Sequence, residues 1–211
     1  MTYNRTQHIP DILAKIVSIV FHPLLIPLYG LLVIFSAPTP IGYIPVNYKK
    51  VLLLLIIVNN LLLPLSLMPY FRYRNIITSW AVEERKERIL PLIMTSFFYS
   101  VTAVITYRFQ ILPHFIKSFI LSAAFLAICV TVITFWWKIS IHSTGVGALT
   151  ALVIILSLEM YTPLTWYLFA VVLVSGLVLS SRLWLNDHNP VEVWSGLMLG
   201  FAGAALFLMI F

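Results

Sequence analysis

A polar island near the end of this chain carries the residue types that chemistry needs. It reads Ser181-Arg182-Leu183-Trp184-Leu185-Asn186-Asp187-His188-Asn189-Pro190-Val191-Glu192-Val193-Trp194-Ser195-Gly196. An arginine, a histidine and a carboxylate are costly to hold beside lipid for structure alone, so the island marks a candidate functional site. Arg182 offers a planar, always-protonated fork that suits phosphate oxygens. The spacing of His188 and Glu192 places them one helical turn apart, on a shared face. There the carboxylate can accept a hydrogen bond from one ring nitrogen and leave the other free. Pro190 is compatible with the first turn of such a helix. Asp187 is a lesser candidate for the same partnership, because neighbouring helical residues point apart.

Two further polar clusters lie upstream. The longest polar stretch runs from Arg72 to Arg88 and contains Glu83-Glu84-Arg85-Lys86-Glu87-Arg88. Arg85 and Arg88 are three apart and share a face if the segment is helical, and Lys86 adds a third cation. All three are candidates to contact a phosphate. The other cluster follows Trp136-Trp137-Lys138, an interfacial aromatic belt with a basic anchor. It reads Ile139-Ser140-Ile141-His142-Ser143-Thr144-Gly145, with Ser140 as a helix N-cap and His142 in the first turn. Free amides at such a start suit an anion. Taken alone, these residues do no more than cap and pack a helix.

The elements that must position these clusters are membrane spans. Of the 211 residues, 61% are hydrophobic and 9% charged, against roughly 25% charged in an average soluble domain. Seven apolar segments fall at about 13–36, 51–71, 89–106, 115–136, 141–158, 163–181 and 191–211, each near the length needed to cross a bilayer. The expected fold is an all-α, polytopic transmembrane bundle of six or seven spans forming one domain over 1–211. The count is open because Phe21-His22-Pro23 and Pro27 must kink the first segment or make it re-entrant. His22 reads as a core histidine rather than a pocket residue, and Asn59-Asn60 as a polar contact between helices. Cys129 is the only cysteine, so no intramolecular disulfide forms. No removable signal peptide is evident. The net charge of +6 is strung along loops rather than gathered on one helix face, so nucleic acid is not an expected partner.

Counting spans tests whether the clusters can meet. Two segments separate the Arg85 cluster from His142, and two more separate His142 from Arg182 and His188, so all three emerge on one face. Which side that face occupies is not set by charge. With Arg85, Lys86, Arg88, Lys138 and Arg182 set aside, Arg5, Lys15, Arg72 and Arg74 on the site face oppose Lys49, Lys50, Arg108 and Lys117.

The Ser-Arg-x5-His-x3-Glu-Val-x2-Gly spacing of Ser181, Arg182, His188, Glu192, Val193 and Gly196 resembles the third signature of the type 2 phosphatidic acid phosphatase superfamily, with Glu in place of the usual Asp. The second signature, Pro-Ser-Gly-His, is matched at Ser140 and His142, with Ile139 and Ile141 at the other two positions. The first, Lys-x6-Arg-Pro, is degenerate: Arg88 precedes Pro91 by three residues, and Ala81 stands where the Lys belongs. Arg85, Lys86 and Arg88 are read as its substitute. The resemblance covers about residues 83–196, and the spans at about 13–71 precede this phosphatase-like core.

The resemblance implies an integral membrane lipid phosphatase hydrolysing a phosphomonoester or diphosphate through a phosphohistidine. In that scheme His188 is the nucleophile, Glu192 orients it, and His142 is the general acid for the departing alkoxide. Arg182, Arg88, Lys86, Arg85 and Ser140 hold the phosphate. No metal or other cofactor is required, and the sequence offers no metal-ligand cluster. The partner is a membrane lipid phosphate, not nucleic acid. The resembling bacterial enzymes sit in the inner membrane and usually face the periplasm, which the resemblance implies here. Two alternatives stand beside it: a lipid phosphotransferase using the same site, and a non-catalytic phospholipid-binding or transport protein. With no large soluble domain to contact a headgroup, lipid selection falls to crevices between spans and to the Arg72–Arg88 loop.

Overall fold

Proline divides the first span. Pro23 and Pro27 lack the amide an unbroken helix needs, so α1 (His8–Val20) gives way to a 3₁₀ turn at Pro23–Leu25, and α2 (Ile26–Ser36) completes the crossing. The next crossing joins α3 (Val46–Ile56) to α4 (Leu63–Tyr73) through a π-helical stretch, Ile57–Leu62. Pro64 cannot donate to the Asn60 carbonyl one turn earlier, and the wider π turn absorbs that loss. Five uninterrupted helices follow: α5 (Arg85–Arg108), α6 (His114–Thr134), α7 (Ile141–Glu159), α8 (Thr165–Trp184) and α9 (Pro190–Ile210). This computed structural model describes residues 8–80, Val82 and 84–210, without the side chain of His8. Arg5, Ala81, Glu83 and Phe211, which entered the sequence reading, lie outside them.

The fold is an all-α bundle with no strand among the described residues. Among the described residues seven helical segments are long and apolar enough to cross a membrane, counting Ile9–Ser36 and Val46–Tyr73 as one each. The sequence-derived spans match these within a few residues, and the first reaches further toward the N-terminus than its apolar run suggested.

α7 is the central helix and the most buried of the seven. Lipid chains are as apolar as Leu, so spans gain little from burying Leu and pack instead where backbones approach closely. α7 and α9 do this through glycine. A Cβ at Gly147 would run into the Leu197 carbonyl, and one at Gly200 into the Thr144 carbonyl. The Ser140 amide also donates to the Glu192 carbonyl at 3.3 Å, tying the start of α7 to the first turn of α9. Hydroxyls hold α5 in place: Ser96 and Thr131 of α6 are 2.8 Å apart, and Thr102 donates to Asn60 Oδ1 at 2.6 Å. Asn60 thus makes the interhelical contact expected of the Asn pair. Buried, these pairs satisfy polar groups that lipid cannot.

Candidate active site

Three turns at one end of the bundle bring the polar clusters together. The α8–α9 turn is the tightest. Leu185 and Asn186 cap the end of α8, with Asn186 at φ 54°, a left-handed conformation that Asn tolerates. Asn189 then opens α9: its Oδ1 accepts the Glu192 amide at 2.9 Å, and Glu192 Oε2 accepts the Asn189 amide at 3.3 Å. This is a reciprocal capping box with Pro190 at the first helical position. His188 therefore stands just before the helix, not on its face as the spacing suggested.

The same Glu192 oxygen lies 2.8 Å from His188 Nδ1. The glutamate arm reaches both the Asn189 amide and the imidazole. On the opposite side of the ring, Nε2 lies 3.4 Å from Arg88 Nη1. A guanidinium only donates, so Nε2 must carry the lone pair and Nδ1 the proton given to Glu192. Burial holds the His188 imidazole below its ordinary 6.5. The charges of Arg88 and Arg182 push the same way, against the hydrogen bond to Glu192. A neutral imidazole with a fixed tautomer and an outward lone pair is a nucleophile or a proton acceptor.

Arg182, in the last turn of α8, is buried. It pairs with Asp187 at 2.7 Å and donates to Ser18 of α1 at 3.2 Å. Among the described residues its Nε has no hydrogen-bond partner. Asp187 thus serves Arg182 rather than His188. Arg88 is buried as well and donates through Nε to the Val82 carbonyl at 2.8 Å. His142, in the first turn of α7, sits with Nε2 3.2 Å from the Ser18 carbonyl, and its ring meets that of His22 edge-on, centroids 5.7 Å apart.

These groups share one cavity of about 580 Å³, lined at its polar end by Ser18, His22, Arg88, His142, Arg182, Asp187 and His188. Below them its walls are mostly apolar, with Thr95, Tyr99, Ser122 and Thr144 among them. The other sequence candidates sit elsewhere. Arg85 turns to the end of α6 and donates to the carbonyls of Thr134 and Phe135. Lys86 is exposed. Ser140 is fully buried and caps α7, accepting from the Ser143 amide at 3.4 Å and the Ser143 hydroxyl at 2.9 Å. None of the three lines the cavity.

Ser18 is the residue that sequence reasoning missed, and His22, read there as a core histidine, lines the cavity instead. Their signal was present: they stand four apart, beside a proline break at membrane depth. Irregular backbone is tolerated there where it lines a cavity or is buried in protein. Comparison with known family models, with curated proteins and with solved structures gives no match.

Proposed function

We propose that this protein is a membrane lipid phosphatase in which His188 takes the phosphoryl group. The observation that carries the reading is the two-sided setting of His188: Glu192 fixes one nitrogen, and the lone pair of the other points toward a guanidinium at the mouth of an apolar cavity. A lipid phosphate matches that division, with its charged head among cations and its hydrocarbon below. The resemblance of the Arg182–Glu192 spacing to the phosphatase signature points the same way.

In the proposed reaction His188 Nε2 attacks phosphorus, the P–N bond forms, and the P–O bond to the lipid alcohol breaks. Arg88 and Arg182 hold the equatorial oxygens as the charge redistributes. The departing alkoxide needs a proton. His142 gives its Nε2–H to the Ser18 carbonyl, so it serves the alkoxide from Nδ1, which it can do as an imidazolium while the phosphate charge is beside it. Water then attacks the phosphohistidine with His142 as base, releasing phosphate and restoring neutral His188.

Purified protein supplied with ³²P-labelled lipid phosphates is expected to release phosphate and to form an acid-labile, base-stable labelled intermediate. His188→Ala should lose both while remaining folded. Turnover that persists in His188→Ala overturns the covalent route.

A further inference from the structure

We propose that the apolar part of the cavity is a binding pocket for a single hydrocarbon chain, and that the Phe119 ring closes its floor and so limits the chain length accepted. This deepens the lipid-phosphate reading and rests on it for the identity of the head group.

Depth supports the proposal. The α6 residues lining the cavity run from Val130 down to Phe119, and those of α5 from Arg88 down to Tyr99. Either run of twelve residues, eleven steps, descends about 16 Å at the helical rise. That is close to one leaflet, half of a hydrocarbon core about 30 Å thick. A chain attached to a phosphate at His188 would lie along this partly open cavity over that depth. Volume supports it too. If a methylene takes about the 30 Å³ share of a liquid water, the cavity of about 580 Å³ holds roughly 19 such groups. This fits one chain with its phosphate and is about half of what a two-chain lipid needs. Pro23 and Pro27 of the first span and Pro64 and Pro69 of the second also line the cavity.

Phe119 is the deepest α6 residue on the wall, and its ring is seated against Gly30 of α2. A Cβ at Gly30 would overlap the tip of the ring. The missing side chain at Gly30 therefore keeps the ring out of the cavity. Ala123, one turn nearer the mouth, is small where a larger side chain would cross the chain's path.

The test uses full-length protein in nanodiscs with a series of monoalkyl phosphates of six to twenty carbons (order-of-magnitude lengths set by one leaflet) and one diacyl phosphatidic acid. Phosphate release is measured on the active protein. Binding of the same compounds is measured on His188→Ala, by displacement of a tritiated alkyl phosphate. Both should hold steady up to a limiting chain length and then fall at least tenfold. Phe119→Ala should move the limit to longer chains; Gly30→Ala and Ala123→Leu should move it to shorter ones. If Phe119→Ala does not fold, Phe119→Leu and Ala123→Leu carry the test. A limit unmoved in every variant, no limit at all, or diacyl phosphatidic acid matching the best monoalkyl phosphate overturns the chain pocket. A length limit in binding without phosphate release from any compound leaves the pocket standing and removes the phosphatase reading.

Discussion

Glu192 performs two jobs with one oxygen, and substitutions can separate them. Glutamine at the third helical position still completes a capping box, but it cannot supply a carboxylate to His188 Nδ1. Glu192→Gln should therefore keep its Tm within a degree or two while kcat/KM falls on the order of 10²-fold, the low end for a positioned proton-transfer group. Glu192→Ala should lose both the activity and about 1 kcal/mol of stability from the cap. Thermal unfolding and phosphate release on the same samples make the comparison. His188 also predicts a pH dependence. Its imidazole is pushed down from 6.5 to about 4, by burial first and then by Arg88 and Arg182. The active neutral form thus survives as pH falls through 6.5, and the acid limb of kcat/KM should lie below 6.5. Removing the Arg88 charge should raise that limb. The stability sign runs the same way. The unfolded chain takes the proton below 6.5 and the folded one only near 4, so this contribution is present above 6.5 and lost as pH falls toward 4.

Arg85 and Arg88 show why spacing within an element says less than where the element starts. Both lie in the first turn of α5, yet one side chain closes the end of α6 and the other enters the cavity. Arg85→Ala should cost about 1 kcal/mol of stability, the scale of a lost hydrogen bond, with KM unchanged. Arg88→Ala should reduce kcat/KM on the order of 10²-fold or more, as for one lost oxyanion donor. Equal kinetic effects from the two would mean that both reach substrate. The spans themselves were legible because length and apolar composition dictate them. Arg182, His188 and Glu192 were legible because charge beside a membrane is conspicuous. Ser140 was correctly recognised as a helix cap, but its side chain is spent on that task. Ser18 went unread and His22 was read as core because a serine and a histidine in an apolar run look like packing until a folded helix break turns them toward other spans. The apolar pocket leaves no mark in sequence at all, since its walls have the composition of every other span.

At the scale of the molecule, the even number of crossings between the polar clusters is directly testable. After Cys129→Ser, single cysteines at Glu84, Lys138 and Asn186 should react with an impermeant maleimide from one side of the membrane. Cysteines at Gly42, Gln110 and Thr162 should react only from the other. Mixed sidedness among the first three would separate the clusters that the bundle brings together. Asp187 lines the cavity mouth beside Arg88 and Arg182 and is held directly on Arg182. Arg182 therefore carries its own counter-ion, and on the proposed function an entering anion must displace that carboxylate. Entry becomes ion exchange, one negative charge out for those brought in. Such an exchanger discriminates by valence: a doubly charged phosphomonoester gains over the resident carboxylate, whereas a singly charged phosphodiester only matches it. On the proposed function, diester phospholipids are therefore expected to compete poorly for Arg182, whatever their chains.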